Sequence, residues 1–75
     1  MVTTHNIANI SFDKEFIILT VDGKEIRVNL ETISSKLKSA TNFQREFFII
    51  SPSGYGIHWP LIDEDLSIDA LLKTT

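Results

Sequence analysis

The chain has 75 residues, 43% apolar and 23% charged, a formal net charge of −3 and no cysteine. This is enough for one domain near the lower size limit for a self-sufficient core, and it excludes disulfide staples, thiolate metal sites and a low-hydrophobicity disordered chain. The seven Lys and Arg are scattered, with only Lys36 and Lys38 close together, so a phosphate-reading patch and direct nucleic-acid binding are disfavoured.

The opening "MVTTHNIANI" lacks the basic start and long apolar core of a signal peptide, and His5 within it is expected to sit in a frayed terminus. The apolar run "FFII" is far too short to cross a membrane, so a soluble, cytoplasmic protein without membrane contact is expected. Three strands then read out by alternation. "IRVNL" puts Ile26, Val28 and Leu30 on one face, and "FIILTV" before it is joined through Asp22-Gly23, a dipeptide that favours a two-residue type I′ turn. That turn sets Leu19 opposite Ile26 and Ile17 opposite Val28. A tight turn at Asp13-Lys14 would add a first strand with Ile10 facing Ile17 and Ala8 facing Leu19. The meander has one apolar face, and Phe16 and Ile18 fall on the other, which a second layer or a partner should cover.

Leu30, Ile33, Leu37 and Ala40 follow helical spacing and predict a short helix over 31–39. Thr41, with Gln44 three residues on, forms a capping-box pattern that predicts a second helical turn. "EFFII" and "YGIHW", divided by the loop signal "SPSG", predict a second hairpin with Tyr55, Ile57 and Trp59 on one face and Gly56 and His58 on the other. Pro60 should end that strand, the acids Asp63, Glu64 and Asp65 should form a turn, and Ser67 should cap a final helix with Ile68, Leu71 and Leu72 as its apolar stripe. The fold class expected is α+β: a single small domain over 1–75, with a three-stranded antiparallel meander, a second hairpin and two or three short helices.

"VDGKEIRVNL", the short helical stretch and "SGYGIHWPLIDEDLSIDALL" together resemble the bacterial domain-of-unknown-function family 2442 (DUF2442), typified by an xDGxxxxVPL hairpin and a GYGIHWPxxDEDISVxGLL ending. The resemblance covers nearly the whole chain and is most specific over 54–72. It departs at Asn29, where a proline is expected, and at Ala70, where glycine is common. It implies a compact α+β domain, mostly found alone, and often encoded beside another small protein in an arrangement reminiscent of toxin–antitoxin pairs. It implies no catalytic residues. Some members carry a helix-turn-helix segment after the domain, for which a chain ending at Thr75 is expected to have no room.

Two readings compete for the crowded segment 54–67. His58 with Asp63 or Asp65 has the donor types of a divalent-metal site and would suit a small metal-dependent hydrolase. The alternative is structural: Gly54, Tyr55, Gly56, Trp59, Pro60 and Ser67 close the fold, Trp59 and Tyr55 supplying buried aromatic area. On that reading His58, Asp63, Glu64 and Asp65 are a surface that a partner touches. The Ser34-Ser35 pair has no activating base at a recognisable spacing, and the glycines at 23, 54 and 56 make no phosphate loop. The expectation is therefore a non-catalytic protein-binding or regulatory module with no catalytic residue, cofactor or bound metal. Its partner would be another protein, as in a two-gene cassette, or a second copy in a homodimer.

Overall fold

Asp22 and Gly23 both adopt positive φ, 51° and 83°, the combination that a type I′ turn requires. The computed structural model describes residues 5–74. In it this turn joins β2 (Phe16–Val21) to β3 (Lys24–Asn29), with Val21 opposite Lys24, Leu19 opposite Ile26 and Ile17 opposite Val28. The expected register is the observed one. Ile17, Leu19, Ile26 and Val28 all face inward and are buried.

β1 (Ile7–Asp13) pairs with β2 in a different register from the one expected. The turn lies at Lys14-Glu15, so Phe12 rather than Ile10 stands opposite Ile17. The register then shifts between Ala8 and Ser11, with Asn9 in the left-handed region at φ 54°. A bulge of this kind reverses which residues face inward. Ile7, Ile10 and Phe12 pack on the core, while Ala8, expected inside, is exposed. On the outer face, the Arg27 guanidinium lies 4.4 Å from the Phe16 ring centroid, so part of the cover for Phe16 comes from the sheet itself.

The stretch expected to be one helix is two, α1 (Leu30–Ile33) and α2 (Ser35–Ser39). Ser34 breaks it with an extended backbone, φ −164° and ψ 105°. Its hydroxyl accepts the Leu37 N–H as an N-cap and donates to Glu64 Oε2 at 2.5 Å. A serine that competes for helical N–H groups ends one helix and starts the next. The Thr41 capping box forms as expected, with both reciprocal bonds, and opens α3 (Asn42–Glu46).

The second hairpin is part of a second three-stranded antiparallel sheet, β4 (Ile49–Ile50), β5 (Gly56–Trp59) and β6 (Glu64–Ser67). β6 corrects the expected acidic turn: the turn is Pro60–Asp63, and Glu64 and Asp65 are strand residues opposite Trp59 and His58. Carboxylate residues have low strand propensity, but pairing with β5 outweighs it. Ser67 ends β6 and caps α4 (Ile68–Lys73), accepting the Ala70 N–H as expected.

One apolar cluster joins both sheets: Ile17 and Leu19 from β2, Ile57 and Trp59 from β5, Leu37 from α2 and Leu71 from α4. Trp59 is fully buried, packs edge-on to Phe12 and at a tilt to Phe48, and its indole N–H donates to the Arg45 carbonyl at 2.9 Å. Truncation to Trp59→Ala is expected to cost about 3–5 kcal/mol. A domain of this size has little more than that in total, about 3–5 kcal/mol. Thermal melts should show that variant unfolded or molten, while His58→Ala on the opposite face of the strand should lose at most about 1 kcal/mol.

Candidate functional site

Strand pairing decides which of the crowded residues meet. On the outer face of the second sheet, Ile49, His58 and Asp65 form a cross-strand row, because Ile49 pairs with His58 and His58 with Asp65. His58 Nδ1 and Asp65 Oδ1 are 2.7 Å apart. With the carboxylate as acceptor, Nδ1 carries the proton and Nε2 is the nitrogen left to face outward in the neutral ring.

The other two acids do not join this pair. Alternation sends Glu64 to the inner face, where it accepts from Ser34 Oγ, and its other oxygen accepts its own neighbour's Asp65 N–H at 3.0 Å. Asp63 takes positive φ at the end of the turn, and the Lys36 ammonium meets its backbone carbonyl at 3.1 Å. Among the described residues, no group of three or more His, Cys, Asp or Glu side chains is placed to hold a metal ion.

The row borders a groove of about 480 Å³. Its lining includes two exposed apolar side chains, Ile49, 56% exposed, and Tyr55, 49% exposed, together with Ser51, Gly56, Ser67, His58 and Asp65. Tyr55 was expected in the core and is not there. β5 begins only at Gly56, so Tyr55 belongs to the loop and turns outward. Gly56 is imposed by the pairing: a Cβ on it would stand 2.8 Å from the Leu66 carbonyl oxygen. Both groove serines accept backbone N–H groups, Ser51 from Gly56 and Ser67 from Ala70. Neither hydroxyl is bonded to His58, so no nucleophile–base pair is formed.

A second cluster escaped the sequence reading altogether. His5, expected to fray, has a side chain only 8% exposed, with Nδ1 2.8 Å from Asp22 Oδ2 and Nε2 3.0 Å from Asp69 Oδ1. The backbone closes around it. His5 N–H donates to the Ser53 carbonyl, Asn6 N–H to Asp22 Oδ1, and Asp22 N–H to the Asn6 carbonyl. Gly54, at φ 69°, makes room: a Cβ there would fall 1.8 Å from the His5 carbonyl oxygen. The only signals in the sequence were a lone histidine and a glycine after "SPS", neither of which names a partner.

A neutral imidazole has one N–H, so only the imidazolium satisfies two carboxylates. The hydrogen bond to Asp22 first, and then that to Asp69, raise the His5 pKa above its ordinary 6.5. The same His5 contact, followed by the Asn6 N–H, holds Asp22 below 3.8. The raised histidine contributes stability that is complete below 6.5 and lost as pH rises through its folded value. The depressed Asp22 contributes above 3.8 and loses that contribution as pH falls through its own folded value. The gap in melting temperature between wild type and His5→Gln should thus be widest between 3.8 and 6.5 and narrow as pH rises. Melts across pH check this, and Gly54→Ala, which displaces the His5 carbonyl, should flatten the profile in the same way.

A family model described as "Protein of unknown function (DUF2442)" matches residues 7–74, nearly the whole chain. No curated protein and no solved structure matches it.

Proposed function

The chain belongs to the DUF2442 family, and we propose that it is a non-catalytic protein-binding module that lays an extended apolar segment of a partner protein along the groove of its second sheet. The observation that carries this reading is the groove of about 480 Å³ beside the Ile49–His58–Asp65 row, with two exposed apolar side chains, Ile49 and Tyr55, in its lining. A contiguous apolar groove with a polar rim is the pattern of a recognition surface rather than of scattered surface apolars. Tyrosine suits such a surface, because it offers large area with few rotamers to freeze. His58 and Asp65, held together at one end, offer Nε2 and a carboxylate as the polar rim that fixes orientation.

The hydrolase reading has less behind it. His58 has Asp65 but not Asp63 or Glu64 beside it, and both groove hydroxyls are engaged by backbone N–H groups.

Peptides selected from a random library on the wild-type protein test the proposal. Their affinity should fall about tenfold or more for Ile49→Asp and for Tyr55→Ala, the loss expected when a central apolar contact is removed. Phe43→Ala, at an exposed aromatic outside the groove, should leave it unchanged. Equal binding to all three variants would place recognition elsewhere. Peptides displaced by unlabelled protein alone, with sedimentation as a dimer, would identify a second copy as the occupant.

A further inference from the structure

Arg45 is a buried cation, only 6% exposed. Its Nε donates to the Leu37 carbonyl and one Nη2 hydrogen to the Lys38 carbonyl, each at 3.0 Å, and the guanidinium lies 5.6 Å from the Phe12 ring centroid. The two carbonyls belong to the last turn of α2, where partial negative charge accumulates. They account for two of the five N–H donors a guanidinium carries. Among the described residues no carboxylate lies within ion-pair distance of it. Among the described residues no side-chain nitrogen is both buried and without a partner, so the guanidinium N–H groups not given to these carbonyls reach accessible space.

Arg45 lines a separate cavity of about 300 Å³ between β1 and α3. Ser11, Asn42 and Glu46 are its other polar residues, and Ile10 and Phe48 give it an apolar side. The β1 bulge sits directly before this cavity: the ladder with β2 is interrupted between Ala8 and Ser11. Bulges re-aim the residues that follow them, here Ile10 and Ser11.

We propose that this cavity binds a free carboxylate that has an N–H donor next to it, the chemistry of a peptide C-terminus or an N-acylated amino acid. With Nε and one Nη2 hydrogen given to the Leu37 and Lys38 carbonyls, the remaining Nη1–Nη2 edge of the guanidinium is the one that matches a carboxylate through two parallel hydrogen bonds, which a lysine or a single hydroxyl cannot supply. Ser11 and Asn42 add side chains able to donate. Glu46 lies at the same cavity and repels a bare anion, so the ligand needs a donor beside its carboxylate. Ile10 and Phe48 provide a wall for an apolar side chain. The site is distinct from the groove of the second sheet, and no lining residue is shared.

Chemical-shift titration of the wild-type protein at constant ionic strength tests this with N-acetyl-leucine, N-acetyl-leucinamide and acetate. The acid should give saturable shifts at the Arg45 side-chain N–H groups, Ser11 and Asn42, in roughly the millimolar range for so small a ligand. The amide should bind about tenfold more weakly or less, since it loses the charge-assisted pair. A hexapeptide ending in leucine separates the sources: tighter binding than N-acetyl-leucine assigns the site to a chain terminus, and equal binding to a small molecule. Arg45→Gln is liable to unfold, so Glu46→Gln, at an exposed position, is the second variant. It should tighten acetate several-fold and narrow acetate's deficit against N-acetyl-leucine. Equal affinity for acid and amide, shifts that never saturate, or acetate binding unchanged in Glu46→Gln would each overturn the proposal.

Discussion

Everything in this fold converges on one indole. Trp59 is the largest fully buried side chain, and it is held in two ways at once. Its ring packs against Phe12 from the first sheet and Phe48 from the approach to the second, and its N–H is satisfied by the Arg45 carbonyl. Burying an indole without that acceptor would leave an unpaired donor in the core. α3 therefore has to stand where its last turn offers a carbonyl inward. The capping box at Thr41 and the bonds from Arg45 to the end of α2 put it there. A small core without disulfides is stabilised by a few such residues rather than by volume.

The same arrangement decides what is left on the surface. Because Ile57 and Trp59 face in, Gly56, the first residue of β5, and His58 must face out. Gly56 is glycine because the neighbouring strand's carbonyl occupies the place a Cβ would take. The groove is thus bordered by that pairing, and the exposed Tyr55 and Ile49 in its lining make it apolar. The site and the core are two faces of one alternation.

Short elements in this chain are fastened by polar contacts between segments far apart in sequence. Ser34 caps α2 and reaches Glu64 in β6; His5 bridges the β2–β3 turn and α4 while its backbone meets the loop before β5. Among the described residues no helix exceeds six residues, so none would persist in isolation, and tertiary bonds stand in for helix length. The buried Arg45 follows the same logic, joining two short helices through their ends.

What the sequence by itself determined is whatever depends on near neighbours. Asp22-Gly23 specified its turn, and with it the β2–β3 register, because the left-handed backbone is a local preference. The Thr41–Gln44 box and the Ser67 cap were legible for the same reason, as was the inward placing of Trp59, which follows from period two along one strand. The tertiary structure decided the rest. The bulge at Asn9, the break at Ser34 and the strand at Glu64–Ser67 each run against a local pattern, and each is held by a partner many residues away. The candidate site divides along the same line. Histidine and acids were visible as donor types, but only the pairing of β5 with β6 could put Asp65 beside His58 and turn Glu64 away. His5 was the least legible, since both of its carboxylates come from other elements and the sequence carries no mark of a contact made across the whole length of the chain.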